Sequence, residues 1–275
     1  MNRVVFVSLT ILCLLSVSSI TGLIQVVKAD GGTIYINADG SISPPTAPIY
    51  TADNITYTLT GNITANADGI AIERDNIVLN GAGYTVTGSG SENGTTLTNR
   101  SNVTVRNMTI TNFICGIYLV GSSNNTLSGN NVTANNGAGI CLGSSSDNNT
   151  LSGNNIANNY DGIGLDSTSG NTLSGNNVTA NNQYGILLNS SSNNVLSGNN
   201  VTNSEYGIEL SVSSNNFIFH NNFVDNTNQV STEFSANIWD DGNRGNYWSD
   251  YLTKYLRIGQ GNKRGKEGVT TGATI

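Results

Sequence analysis

Aromatic and acidic residues fill one slot of the sequence repeatedly, directly before a glycine that returns about every 23 residues. Tyr184 and Tyr206 take this slot in successive repeats, and Asp161 takes it one repeat earlier, with Glu205 beside Tyr206. Aromatic rings stack on sugar faces, and carboxylates accept hydrogen bonds from hydroxyl groups. We therefore predict a stripe of these four residues that suits a carbohydrate; the alternative is that the tyrosines only fill a surface corner.

Carboxylate pairs are the second chemistry to consider, because hydrolysis of a glycosidic bond needs two carboxyl groups about 5 Å or about 6.5 to 9.5 Å apart. If successive repeats stack as strands, Asp166 and Glu209 lie about 12 Å apart, and Asp161 and Asp166 about 16 Å apart. The one histidine, His220, sits in a turn sequence. We therefore predict no catalytic residues.

Copper would need a cluster of Cys, His and Met side chains. After residue 29 the chain has few such residues, and they are separated in sequence: Met108, Cys115, Cys141 and His220. This donor set argues against a copper site, and we expect no cofactor.

Calcium is the alternative at an acidic, glycine-containing run near the C-terminal end, where Asp240 and Asp241 are followed by Asp250. Calcium prefers such oxygen donors. The run lacks the spacing of an EF-hand loop, so a hydrogen-bonded turn is the favoured interpretation and no metal site is predicted.

The two cysteines that follow the N-terminal segment, Cys115 and Cys141, belong to adjacent repeats but lie three positions out of register. One strand spacing and three extended residues would put their Cα atoms about 11 Å apart. A disulfide needs less than about 7 Å. We therefore expect free thiols.

The elements that position these residues follow from the repeat, which is clearest over residues 125–223. Each period holds three short apolar runs, which in one repeat are Ile140 with Leu142, then Leu151, then Ile156. Apolar residues two apart lie on one face of a strand. The segments between them are rich in Asn, Ser, Gly and Thr, which favour turns and argue against the helix of a leucine-rich repeat.

Three turns per period predict an all-β fold, a right-handed single-stranded parallel β-helix of about seven to eight coils of about 23 residues. In one coil the predicted corners are the pairs Asn148-Asn149, Asn154-Asn155 and Asn158-Asn159. Corner side chains can then bond along the axis as an Asn ladder. A coil buries roughly four aliphatic side chains, worth about 1.5 to 3 kcal/mol each, which is less than the cost of ordering its backbone. Coils therefore need neighbours, and the ends need caps.

The chain divides into five predicted segments. Arg3, an apolar core and a small-residue end at Ala29 are typical of an export signal, the alternative being an uncleaved membrane anchor. The segments are the signal (residues 1–29), an N-terminal cap with the first strands (30–66), the coils (67–236), an aromatic C-terminal cap (237–255) and a disordered tail (256–275).

Charge excludes one class of partner. The full chain has 11 basic and 18 acidic residues, and the loss of Arg3 and Lys28 with the signal leaves 9 basic residues. Residues 107–243 contain no Lys or Arg. Nucleic acid binding rests on such cations, so it is excluded, and polyuronates are poorly matched.

Sequons such as the one at Asn124 lead us to expect glycosylation at the surface.

Several motifs together resemble the NosD-type β-helix family. They are DGGTIYI, TYTLTGNIT, DGIAIERDNIVLNGAGYTVTG, the LSGNN and GIxL coils, and GNYWSDY. The resemblance reaches about Tyr255 and includes a periplasmic copper-processing relative and exported archaeal surface proteins. It implies the β-helix fold and export. Such coils are also similar to carbohydrate-binding and sugar-hydrolase repeats of the pectin-lyase-like fold.

We therefore expect an exported, cell-surface or extracellular β-helix that acts as a scaffold or binds glycans weakly. One alternative is a polysaccharide-active enzyme, such as a glycoside hydrolase, lyase or epimerase. The other is an accessory factor in copper-enzyme maturation. The expected partners are polysaccharide or surface-layer components, with membrane contact only through an uncleaved N-terminal segment.

Overall fold

Short apolar runs separated by polar corners give short strands, because each corner ends a strand after a few residues. The computed structural model describes residues 31–251, and the regular elements within them are 28 strands. They are β1 (Ile34–Ile36), β2 (Ile42–Ser43), β3 (Ile49–Tyr50), β4 (Thr56–Leu59), β5 (Ile63–Thr64), β6 (Ile70–Ile72), β7 (Val78–Asn80), β8 (Thr85–Thr87), β9 (Asn93–Thr98), β10 (Thr104–Arg106), β11 (Thr109–Thr111), β12 (Cys115–Val120), β13 (Thr126–Ser128), β14 (Asn131–Thr133), β15 (Ala138–Leu142), β16 (Thr150–Ser152), β17 (Asn155–Ala157), β18 (Asp161–Asp166), β19 (Thr172–Ser174), β20 (Asn177–Thr179), β21 (Tyr184–Asn189), β22 (Val195–Ser197), β23 (Asn200–Thr202), β24 (Tyr206–Ser211), β25 (Phe217–Phe219), β26 (Asn222–Val224), β27 (Asn228–Glu233) and β28 (Tyr247–Trp248).

The strands form three sheets, and each coil of the chain contributes one strand to each sheet. Sheet 1 has the order β2-β1-β6-β9-β12-β15-β18-β21-β24-β27. Sheet 2 has the order β25-β22-β19-β16-β13-β10-β7-β4-β3, and sheet 3 has β28-β26-β23-β20-β17-β14-β11-β8-β5. Two pairs near the N-terminal end, β1 with β2 and β3 with β4, are antiparallel. The coils themselves pair in parallel, so the predicted parallel β-helix is confirmed.

Aliphatic side chains fill the shaft between the sheets in register from coil to coil. In the predicted repeat, β15 carries Ile140 and Leu142, β16 carries Leu151 and β17 carries Ile156, and all four are buried. One such column in sheet 2 is Val105, Leu127, Leu151, Leu173, Leu196 and Ile218. Because each column continues through every coil, burial in one coil depends on the coils above and below it.

Asparagine side chains line the three corners and bond one another along the axis, as the repeat predicts. The first ladder, with Nδ2···Oδ1 distances of 2.9–3.2 Å, is Asn125, Asn149, Asn171, Asn194, Asn216 and Asn237. The second, at 2.9–3.1 Å, is Asn130, Asn154, Asn176, Asn199, Asn221 and Asn246. The third has Asn135, Asn159, Asn181 and Asn226, with Ser204 in place of its fourth Asn.

With the exception of Asn237 and Asn246, each ladder residue follows a residue with positive φ that turns the chain. In one coil these are Asn148 (φ 57°), Gly153 (φ 61°) and Asn158 (φ 57°). Two of the three predicted Asn-Asn corners are thus placed as expected, with the turning residue first and the buried ladder residue second. The middle corner differs by one position, since Gly153 turns the chain and Asn154 joins the ladder. Glycine adopts this conformation without a steric cost.

The expectation of free thiols is wrong. Cys115 and Cys141 form a disulfide, with Cα atoms 6.4 Å apart. The distance expected from the sequence assumed straight strands. In β12 and β15 two successive residues, Gly116 with Ile117 and Gly139 with Ile140, are buried, which breaks the alternation of an extended strand. The chain is not straight beside either cysteine, so the straight-strand distance was too long.

Aromatic residues gather at the C-terminal end of the described chain. Trp248 in β28 stacks on Phe223 with ring centroids 4.6 Å apart, and Trp239 lies 5.6 Å from Trp248. The predicted segment boundaries stay predictions, and the predicted signal (1–29) and tail (256–275) lie outside the described residues. Among residues 31–251 no helix is long and apolar enough to cross a bilayer.

Candidate functional site

The outer face of sheet 1 presents three side-chain positions per strand. In β18 these are Asp161, Gly164 and Asp166, because the buried pair of residues after Asp161 shifts the alternation by one. Parallel pairing in register turns each position into a column. Column 1 contains Ala138, Asp161, Tyr184, Tyr206 and Asn228. Column 2 contains Tyr118, Cys141, Gly164, Leu187 and Glu209, and column 3 contains Asp166, Asn189, Ser211 and Glu233.

The structure brings the four predicted binding residues together on this face. The rings of Tyr184 and Tyr206 lie with centroids 5.4 Å apart. Asp161 Oδ1 accepts a hydrogen bond of 3.2 Å from the backbone N–H of Tyr184. Glu205 is exposed beside Tyr206. The stripe therefore exists as a contiguous surface, and its role in binding stays a prediction.

Burial and negative charge set the protonation of this stripe. Burial raises the pKa of the Tyr184 hydroxyl, and the carboxylates of Glu209, Asp161 and Glu205 raise it further. Burial also raises the pKa of Asp161, against the opposing effect of the hydrogen bond from Tyr184. Tyr184 is therefore held in its neutral form, in which the hydroxyl can both donate and accept hydrogen bonds.

Glu209 also lies near the tyrosine stripe. The sequence analysis considered it only as a partner of Asp166 in a catalytic pair, and rejected that pair because the distance is too long. Glu209 occupies column 2, one coil above Leu187, and its charge reaches Tyr184. The sequence could have indicated this, because Glu209 occupies the variable position x of the GIxL motif and the x positions of successive repeats form column 2.

The outer face of sheet 1 has depressions where column 2 lacks a large side chain. One is centred on Gly164, has a volume of about 340 Å³ and is lined by Tyr118, Leu187, Asp166 and Asn189 among others. A second, of about 440 Å³, lies near the N-terminal end, where column 2 has Ala71. The first depression has one acidic residue in its lining, Asp166.

The carboxylates do not form the pair that glycoside hydrolysis requires. Glu209 pairs in register with Leu187 and, one coil below, Gly164, so it lies two coils and two residues from Asp166. This is the offset expected from the sequence. Asp161 and Asp166 lie at opposite ends of β18.

The residues considered for calcium, Asp240, Asp241 and Asp250, lie near the C-terminal end of the coils. Asp241 Oδ1 accepts hydrogen bonds from the backbone N–H groups of Asn243 and Arg244, and Asp240 Oδ1 accepts one from Gly242. These backbone bonds, together with His220 Nε2 at 3.2 Å from Asp241 Oδ2, lower the pKa of Asp241. Both side chains thus serve a hydrogen-bonded turn, and within residues 31–251 no three His, Cys, Asp or Glu side chains form a group able to hold a metal, Asp250 included.

A coil of three parallel sheets, closed by Asn ladders and carrying an aromatic and acidic outer face, defines this protein as a parallel β-helix. Residues 23–253 match the family described as "Periplasmic copper-binding protein (NosD)", so the chain belongs to the NosD family. A family described as periplasmic is consistent with the predicted export. No curated protein sequence matches the chain.

Solved structures that are similar to this chain include epimerases and an adhesin. The A-module of the mannuronan C-5 epimerase AlgE6 from Azotobacter vinelandii is 14% identical, with a TM-score of 0.50 over 82% of this chain and 74% of that chain. The periplasmic alginate epimerase AlgG is 21% identical, with a TM-score of 0.47 over 63% of this chain and 49% of that chain. This chain therefore spans about half the length of AlgG. PfbA, a surface adhesin of Streptococcus pneumoniae, is 13% identical, with a TM-score of 0.36 over 78% of this chain and 71% of that chain.

The copper named in the family description can be tested against the donors present. Cys115 and Cys141 are joined in a disulfide, and Met108 is buried in the core. His220 faces Asp241 at a corner. The soft donors that copper prefers are thus oxidised, enclosed or far from one another. The residues from 31 to 251 do not fit a copper site.

Proposed function

We propose that this protein is an exported β-helix that binds a polysaccharide on the outer face of sheet 1, at the stripe formed by Asp161, Tyr184, Tyr206 and Glu205. The observation that carries the proposal is the Tyr184–Tyr206 pair, whose rings are tilted to one another with centroids 5.4 Å apart, beside the half-buried carboxyl group of Asp161. Tyrosine pairs offer an apolar platform for the C–H face of a sugar ring. The neighbouring oxygen atoms accept hydrogen bonds from its hydroxyl groups.

Charge restricts the class of polysaccharide. Residues 107–243 contain no Lys or Arg, whereas Asp161, Glu205 and Glu209 surround Tyr184. A polyuronate would bring its carboxylates against this uncompensated negative surface, and like charges repel. A neutral or amine-bearing glycan is therefore the favoured ligand class.

Affinity electrophoresis of the protein in gels that contain neutral, uronic and amine-bearing polysaccharides tests the proposal. We expect retardation by at least one neutral or amine-bearing polysaccharide, with Tyr184→Ala and Tyr206→Ala each reducing it at least tenfold. Tyr50→Ala is a matched control, because Tyr50 is exposed but lies in β3 of sheet 2. If no polysaccharide retards the protein, only the scaffold role remains.

A polysaccharide-active enzyme is the second candidate. Asp161 favours it, because a half-buried carboxyl with a raised pKa has the character of a general acid. Such an enzyme would release reducing ends or unsaturated sugars from a polysaccharide, and Asp161→Asn or Glu209→Gln would abolish the release. The absence of any released product, from a glycan that the protein binds, would leave binding as the function.

A further inference from the structure

The depression centred on Gly164 is separate from the tyrosine stripe and has its own combination of side chains. Column 2 reads Tyr118, Cys141, Gly164, Leu187 and Glu209 from coil to coil, so one bare backbone position stands between larger side chains. A Cβ atom added at Gly164 would meet no atom within 4 Å. The volume of about 340 Å³ falls within the range of small-ligand pockets.

The apolar part of this depression consists of two walls that suit a sugar ring between them. Tyr118 leans towards the adjacent coil, since a Cβ atom added at Gly143 would lie 3.5 Å from Tyr118 Oη. Leu187 forms the opposite wall, and the disulfide at Cys141 lies beside the aromatic ring. The C–H face of a pyranose packs against aromatic and aliphatic groups of this kind.

The polar part lies along one edge, in column 3. Asn189 Nδ2 donates a hydrogen bond of 2.9 Å to Asp166 Oδ1. This bond orients the two side chains towards one another and leaves Asp166 Oδ2 and Asn189 Oδ1 as acceptors. Tyr118 Oη makes no hydrogen bond to any of residues 31–251. The acceptors of column 3 and the unused hydroxyl of Tyr118 match the hydroxyl groups of a sugar.

We propose that the Gly164 depression is a subsite for a single neutral pyranose ring, with the ring held between Tyr118 and Leu187 and its hydroxyl groups on Asp166 and Asn189. Asp166 and the lack of cations in residues 107–243 select against a uronate. The inference rests on the proposed function, because it assigns a further ring of the same glycan. Cys115, at the column 1 position of β12, and Cys141 of column 2 have Cα atoms 6.4 Å apart, so the depression and the tyrosine stripe are adjacent points of one surface.

Titration of 15N-labelled protein with the methyl glycosides of glucose, mannose and galactose, and with methyl glucuronide, tests this subsite directly. We expect the backbone amide signals of Gly143, Gly164 and Asn189 to shift with at least one neutral glycoside, and at least tenfold less with the glucuronide at the same concentration. The shifts should persist in Tyr184→Ala, which changes the stripe but not the depression.

Gly164→Leu is the decisive variant, because its side chain fills the depression and Gly164 does not have the positive φ that would strain a larger residue. We expect it to fold with an unchanged thermal midpoint and to lose the amide shifts. Ser174→Leu is the matched control, since Ser174 also faces outward but in sheet 2. Shifts that survive in Gly164→Leu, that are equal for the glucuronide, or that occur only around Tyr184 and Tyr206 would overturn the subsite. If shifts occur only around Tyr184 and Tyr206, the proposed function still stands. If no shift occurs at the depression or at the tyrosine stripe, both the subsite and the proposed function are overturned.

Discussion

A single buried serine interrupts the third asparagine ladder. At the equivalent corner of other coils, Asn159 Oδ1 accepts from Asn135 and Asn181 Oδ1 accepts from Asn159. Ser204 is too short to continue the ladder, and its Oγ is buried without a hydrogen-bond partner among residues 31–251. Leaving a buried polar atom unpaired costs about 1 to 3 kcal/mol, so this corner is a weak point of the coil.

Ser204→Asn should therefore stabilise the protein. The new amide would accept from Asn181, and Asn226 already provides the next acceptor at 3.0 Å from the Ser204 backbone nitrogen. We expect a gain of about 1 kcal/mol, which corresponds to a rise of about 2 to 4 °C in the thermal midpoint. Ser174→Asn is the control, because Ser174 faces outward from sheet 2 and is not part of an Asn ladder. An unchanged or lower midpoint would contradict the account of the interrupted ladder.

Asp161 gives a pH-dependent prediction at the same scale. Burial raises the pKa of its carboxyl above the ordinary value of 3.8. A raised pKa in the folded state means that the charged form costs free energy, so stability is lost as the pH rises through the folded pKa. Asp161→Asn removes the charge and keeps the acceptor for Tyr184.

We expect Asp161→Asn to raise the midpoint of thermal unfolding at pH 7, with a difference that vanishes below pH 3.8, where both side chains are neutral. Thermal scans from pH 3 to pH 8 measure it, with the exposed Asp166→Asn as the control. A lower midpoint at pH 7 would mean that the negative charge is stabilising where it lies.

At the scale of elements, a covalent bond joins two adjacent strands of sheet 1. Cys115 begins β12 and Cys141 lies in β15, and the bridge spans 26 residues of sequence. The bridge closes one coil, and its Cys141 lines the Gly164 depression. It therefore restricts the unfolded chain and fixes the coil that carries Tyr118.

Reduction of the bridge, or the double substitution Cys115→Ser with Cys141→Ser, should lower the free energy of unfolding by about 2 to 4 kcal/mol. Urea unfolding with and without a reductant measures the loss in the wild type, and the double variant serves as the control because reductant should leave it unchanged. Peptide mapping under non-reducing conditions should recover the two cysteines in one cross-linked peptide. Recovery of two separate thiol peptides would contradict the bridge.

At the scale of the whole molecule, the fold behaves as a stack in which the strands of each coil pair only with strands of the coils above and below. Strands pair with the equivalent strands one coil above and below, and every apolar column and Asn ladder follows the same order. The stability of such a stack is the sum of coil terms and nearest-neighbour interfaces. Whole coils are therefore removable units, whereas fractions of a coil are not.

Deletion of residues 171–193 removes one coil, because Asn171 and Asn194 hold equivalent places in the first ladder. We expect this variant to fold and to unfold cooperatively in urea, with a lower midpoint than the intact protein. Deletion of residues 171–181 removes about half a coil and shifts every later column out of register, so it should abolish the strand signal in circular dichroism. If both deletions fold equally well, the coils do not depend on register.

The sequence alone determined the coil, its three strands and its polar corners, because a period of about 23 residues repeats the same burial pattern through the chain. It also placed Asp161, Tyr184 and Tyr206 in one column, since equal spacing becomes vertical alignment when coils stack. Only the tertiary structure decided the cysteine pairing and the depression at Gly164. The cysteine pairing depends on the break in strand alternation beside the repeat glycine. The depression depends on which side chains of the adjacent coils surround Gly164. Both are properties of neighbouring coils, which no single repeat contains.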